Sequence, residues 1–262
     1  MSLPLPAPLL RPDWPAPPRV VAAMSTREGG VSSAPWQSLN LGVAVGDDAV
    51  AVAENRARFA AALGARPVWL RQVHGVNVLR LRAHQTEGTN RPEEPADAAW
   101  TDEPGIACTV QVADCLPVLF AARNGRAVAA AHAGWRGLSA GVLEATLRAL
   151  QKGADVAPRD IVAWLGPCIG PRRFEVGADV VQAFTRRLTP LLDADSFVPR
   201  NRAEGSERWL ANLQHLAQRR LIDAGVDAVS VLAACTVEES SRFFSFRRDS
   251  ITGRMAAAIF LR

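Results

Sequence analysis

The stretch GIACTVQVADCLPVLFAARNGRAVAAAHAG, residues 105–134, constrains the fold more than any other. It holds three apolar runs of strand length, 106–112, 117–122 and 126–132. Asn124-Gly125 is the turn pair of a tight hairpin between the last two. Strands that follow so closely pair antiparallel, whereas a doubly wound parallel sheet needs a long crossover between successive strands. Helical spacing elsewhere in the chain adds the second layer type. The expectation is therefore an α/β fold with mixed sheets, not a parallel doubly wound one.

The remaining segments fit that frame. RVVAAMS and the run 68–81 read as strands, the latter broken into two at His74-Gly75. GDDAVAVAENRARFAAALG predicts a helix capped by Asp47 or Asp48 and stopped by Gly64. Residues 84–97 form a polar loop. Helices are expected over 138–153 and 176–188, with a long amphipathic one over 207–225. Strands are expected at 161–167, 228–235 and 253–261. Residues 1–18 are a proline-rich extended arm rather than a signal peptide, and 19–262 read as a single domain.

Composition narrows the function classes. Lys152 is the only lysine, so the basic charge is almost all arginine, a choice that suits phosphate and carboxylate or reflects compositional drift. No dense basic stripe with interleaved aromatics is present, which argues against nucleic-acid binding. No window approaches the roughly eighteen apolar residues of a membrane span. Four scattered cysteines, with no CxxC pair, suit reduced thiols in a cytoplasmic protein. Tyrosine is absent and the lone lysine closes a helix, which leaves no Tyr acid or Schiff-base Lys.

Certain polar residues do not fit their apolar surroundings. His74 and His132 each end a strand-like run just before a glycine, and Cys115 sits at an element boundary after Asp114. Such positions present side chains to clefts. Cys108 alternates with Ile106, Val110 and Val112 and reads as a small buried hydrophobe. Cys168, in a stiff Gly-Pro loop, could line a site; Cys235 is divided between core and site. His84 reads as solvated and His215 as surface filling. Two imidazoles and a thiolate make a zinc set with an open fourth position. The same residues also suit a Cys115–His132 nucleophile pair, or plain packing.

Ten stretches taken in order carry a resemblance: STREGGVSSAPWQSLNLGVAVGDD, ENR, RQVHG, ADCLPVLF, AAHAGWRG, GPCIGP, VG, CT, FFSFRRDS and TGRMAA. Together they resemble the multicopper-polyphenol-oxidase-type laccase-domain family, the YfiH/YlmD-like proteins, from about residue 20 to the end of the chain. The resemblance implies a layered α/β/α arrangement around mixed sheets, similar to cytotoxic necrotizing factor. It places metal ligands on His74, Cys115 and His132, with zinc as the metal and copper as the alternative. It implies phosphorolysis of adenosine, inosine, guanosine and methylthioadenosine, and deamination of adenosine. Arg172, Arg173, Phe174 and Ser250 depart from the usual family pattern.

Within that reading, the partners are purine nucleosides and inorganic phosphate, and the protein is a monomer or small homo-oligomer. Arginine forks hold phosphate, and the candidates are the turn residues Arg27, Arg136 and Arg247, with Asn40 for sugar hydroxyls or its own turn. Asp114 would shuttle protons or, preferably, orient His74 or His132. Three other readings stay open: a Cys-His amide hydrolase acting on peptidoglycan precursors, a copper polyphenol oxidase, and a non-enzymatic partner module.

Overall fold

A computed structural model describes residues 8–83, 94–185, 195–200 and 207–262. Strands β1 (Leu9–Leu10), β2 (Val20–Ser25), β3 (Arg66–Trp69), β6 (Ile106–Val112) and β14 (Met255–Leu261) form a five-stranded sheet in the order β1-β2-β14-β6-β3. Strands β4 (Val78–Arg80), β5 (Ala98–Thr101), β7 (Leu116–Ala122), β8 (Val128–Ala133), β9 (Ile161–Leu165) and β13 (Ala228–Val231) form a second sheet, ordered β13-β9-β7-β8-β5-β4. A small third sheet joins β10 (Glu175–Val176), β12 (Arg208–Ala211) and β11 (Phe197–Arg200). Both large sheets are mixed: β3/β6, β4/β5 and β13/β9 run parallel and the other pairs antiparallel.

The two large sheets pack face to face. Ile106, Cys108, Val110 and Val112 from one side meet Leu119, Ala121, Val128 and Trp164 from the other in a shared core. This period-two pattern accounts for Cys108, which is fully buried among apolar neighbours. Ala130 of β8 and Ala257 of β14 belong to the same core. Helices cover the outer faces: α1 (Ala49–Leu63) packs Phe59 and Leu63 on the five-stranded sheet. Helices α3 (Val142–Ala154) and α5 (Leu213–Asp223) cover the six-stranded one with Leu143, Leu147, Leu216 and Leu221. The α/β expectation holds, with a double sheet as the middle of the layered arrangement.

Local chemistry explains the element ends. Asp48 Oδ1 accepts from the N–H groups of Val50 and Ala51, and Gly64 closes α1 at φ 76°. The expected helix over 138–153 is two helices, because Gly141 at φ 104° breaks α2 (Trp135–Ala140) from α3. The helix expected from 207 starts only at Leu213: Asn212 caps it through the His215 N–H, and the preceding residues pair as β12. The hairpin turn is wider than the two residues expected, since Ala122 N–H donates to Ala127 across it. Helix α4 (Ala178–Thr185) begins the expected 176–188 helix. The rest of that helix, His84 and most of the 84–97 loop lie outside the described residues. Leu9–Leu10, from the expected arm, pair with β2 at the sheet edge. Strands β5, β10 and β11 were not anticipated.

The connections that matter are two crossings between the sheets. Residues 70–77 lead from β3 to β4, and residues 113–115 from β6 to β7. His74 lies in the first, Cys115 in the second, and His132 beside Pro117 on β8.

Candidate metal centre

The metal-binding atoms of His74, Cys115 and His132 all lie within 4.8 Å of one another, with Cys115 Sγ 3.7 Å from His74 Nε2. The two rings meet edge to face at 4.8 Å between centroids. His132 is buried, Cys115 half-buried and His74 exposed, so the cluster opens on one side. Among the described residues no other group of this kind forms.

A carboxylate that went unnoticed in the sequence organises the cluster. Asp97 is fully buried; its Oδ1 accepts from His132 Nδ1 and from the His74 N–H, both at 2.8 Å. Its Oδ2 accepts from the N–H groups of Gly75 at 2.7 Å and Val73 at 3.1 Å. Three consecutive backbone donors thus converge on one anion, which stabilises His74 at φ 61° in the left-handed region. Burial pushes the Asp97 carboxyl up, but the hydrogen bonds from His132, Gly75 and Val73 hold it below its ordinary value. With Nδ1 committed to Asp97, His132 offers Nε2 to the cluster.

Asp114 does something other than expected. Its Oδ1 accepts from Thr236 Oγ1 and its Oδ2 from the Arg247 N–H, both at 2.6 Å, so it orients neither histidine. It stands at φ 93° and ties the Cys115 turn to the short helix α6 (Phe246–Asp249). Asp97 takes the orienting role assigned to Asp114.

Glycines leave the room these side chains need. A Cβ on Gly134 would come 2.8 Å from His74 Cδ2 and 3.0 Å from Cys115 Sγ. The HAG turn is therefore the floor of the cluster.

The centre stands in the wall of a cavity of about 450 Å³. The loop 42–45, Arg56, Trp69, Phe246 and Arg254 complete the wall, and Phe246 is 56% exposed, an accessible aromatic face. The arginines selected from the sequence lie elsewhere. Arg27 is bound to the carbonyls of Gln37 and Ser240 over the Phe244 ring. Arg136 lies over Trp135, and Arg247 reaches the carbonyls of Arg173 and Glu175. Asn40 is fully buried and spends its amide on Gly42, Asp47 and Arg254, which is its turn-making alternative. Arg56, in ENR, and Arg254, in TGRMAA, were not among the candidates.

The other thiols pack inward. Cys168 and Cys235 are buried neighbours on an isolated bridge, and the Gly170 N–H points at Cys235 Sγ. No described helix is long and apolar enough to cross a membrane.

The family described as multi-copper polyphenol oxidoreductase laccase matches residues 21–262. A protein of Pseudomonas aeruginosa named purine nucleoside phosphorylase is 49% identical over 252 residues, 96% of this chain and 98% of its own length. Purine nucleoside phosphorylase YfiH of Escherichia coli is 47% identical over 255 residues, covering 97% and 98%. The crystal structure of a Neisseria meningitidis protein is similar with a TM-score of 0.86 at 45% identity, over 97% of this chain and 98% of that one.

Proposed function

The chain belongs to the multi-copper polyphenol oxidoreductase laccase family, and from that premise we propose that it is a purine nucleoside phosphorylase whose His74, Cys115 and His132 hold a zinc ion, with adenosine deaminase activity as well. The observation that carries the proposal is a soft-donor trio set in the wall of an open cleft beside an aromatic face and two arginines. The relatives named purine nucleoside phosphorylase support the phosphorylase part over nearly their whole length.

The donor set fits a metal. Two imidazole nitrogens and a thiolate suit zinc, with copper as the alternative that such ligands also accept. The missing Cβ of Gly134 keeps the trio uncrowded, and Asp97 fixes the second ligand's tautomer. Zinc held there would supply Lewis acidity to the cleft.

The chain's own residues provide the rest. Phe246 offers a ring face on which a purine stacks. A phosphate oxygen bonds to the sugar's anomeric carbon as the glycosidic bond breaks, and the purine leaves with the electron pair. Among the described residues lining the cleft there is no Asp or Glu. The departing base takes up its proton from solvent or from the phosphate. The substrates proposed are adenosine, inosine, guanosine and methylthioadenosine; in the second activity, water replaces the amino group of adenosine, which leaves as ammonia.

A specific observation favours one other reading. Cys115, His132 and Asp97 form a nucleophile, base and orienting carboxylate in sequence, the arrangement of a Cys-His amide hydrolase. Incubation with adenosine and phosphate tests the first reading, and incubation with a peptidoglycan-precursor amide tests the second. Adenine with ribose phosphate marks phosphorolysis, inosine marks deamination, and amide cleavage that survives complete chelation marks the hydrolase.

A further inference from the structure

Arg254 differs from other part-buried arginines of the chain. Arg248 is paired with Asp249, Arg220 with Glu144 and Arg242 with Glu239. Arg254 forms no ion pair with a described carboxylate. Its Nη1 donates instead to the carbonyls of Thr252 and Gly253 at 3.0 and 3.1 Å. Burial depresses its pKa, while Cys115 and Asp114 act in the opposite sense.

The position of this side chain is built in. Its N–H donates to Asn40 Oδ1 at 2.9 Å and its carbonyl accepts from the Leu41 N–H at 3.0 Å. Its stem crosses Gly42, where a Cβ would approach Arg254 Cγ to 2.7 Å. The same loop is held by Arg56, whose Nε donates to the Leu41 carbonyl at 2.9 Å while its guanidinium lies 4.1 Å from the Trp69 ring centroid. Both arginines line the cleft that contains the His74, Cys115 and His132 cluster.

A guanidinium short of water and without a carboxylate paired to it gains from an anion in the cleft. Its fork matches phosphate oxygens in pairs. We infer that Arg254, backed by Arg56, is the seat of the inorganic phosphate dianion in this cleft. The identity of the anion rests on the phosphorylase reading; the anion site itself can be measured without turnover.

The test is calorimetric titration of inorganic phosphate into the wild type, Arg254→Met, Arg254→Lys and Arg136→Gln, with thermal unfolding as the check on folding. The account expects phosphate to bind the wild type and Arg136→Gln alike. Loss of the fork and charge in Arg254→Met should weaken binding by about tenfold or more, with the lysine variant in between. In turnover, the KM for phosphate should rise in Arg254→Met while the KM for nucleoside stays nearly constant. Wild-type phosphate affinity in a folded Arg254→Met, or no phosphate binding by the wild type, overturns the inference. If the methionine variant does not fold, the lysine variant decides: a several-fold loss supports the seat and an unchanged affinity overturns it. Arg254-dependent binding without nucleoside cleavage removes the phosphorylase reading and keeps the anion site. Cleavage with an unchanged KM for phosphate in Arg254→Met does the reverse.

Discussion

Asp97 Oδ1 lies 2.8 Å from His132 Nδ1 and also 2.8 Å from the backbone nitrogen of His74, so one carboxylate oxygen sets the ring of one histidine and the main chain of the other. His74 lies in the connection from β3 to β4 and His132 on β8, and Asp97 is what relates them. Asp97→Asn keeps the shape but replaces one oxygen with an amide that cannot accept. Metal affinity is expected to fall about tenfold to a hundredfold. Unfolding free energy should drop by about 2 kcal/mol, the scale of lost hydrogen bonds to a buried charge. Competition with a chromophoric chelator and denaturant unfolding read the two effects; unchanged affinity would remove Asp97 from the site.

Two glycine substitutions separate the site from the fold. In Gly134→Ala the new methyl meets only side-chain ends, those of His74 and Cys115, so the backbone stays and the cluster gives way. Metal content should fall sharply with little change in Tm. Gly64→Ala has nothing within 4 Å but stands at φ 76°. It should cost about 1 kcal/mol of stability and leave metal content alone. The opposite pattern, in metal analysis and thermal unfolding, would contradict the geometry.

The centre predicts how metal uptake responds to pH. Burial pushes the Cys115 thiol up, but the charge and hydrogen bond of His132, with help from His74, bring it down to about 6. Burial lowers His132, and the Cys115 thiolate and Asp97 raise it to about 9. Without metal, the pair between these values is thiolate and imidazolium. A metal needs thiolate and neutral imidazole, so binding releases one proton from this pair in the window and two from it below. Affinity should therefore rise with pH up to about 9, more steeply below about 6. A pH-independent affinity would contradict this. Burial raises the thiols of Cys108 and Cys168, so alkylation of chelated protein near neutrality should fall on Cys115 and slow in His132→Ala.

What could be read from the chain follows from how local each signal is. His74 and His132 were legible because each ends an apolar strand-like run just before a glycine, and Cys115 because it stands at the boundary between two such runs. Asp97 was not, because it closes a polar stretch and the four-residue strand that follows it, AAWT, carries no alternation. Its partners are distant in sequence, and only the pairing of β5 with β8 brings it beneath His132. The arginines failed for a similar reason. Turn residues were favoured, yet the cleft takes one arginine from the middle of α1 and one from the approach to β14; Arg27 and Arg247 satisfy carbonyls, and Arg136 lies in α2 over Trp135. Helical spacing ran unbroken through 207–225, so the cap at Asn212 and the strand before it were hidden.

The most direct measurement is zinc content together with phosphate-dependent nucleoside cleavage, on the wild type and on Cys115→Ala. The account predicts about one zinc per chain in the wild type, lost in the variant along with formation of ribose phosphate from adenosine or inosine. A wild type that carries no zinc, or a zinc-free Cys115→Ala that still forms ribose phosphate at the wild-type rate, would contradict it.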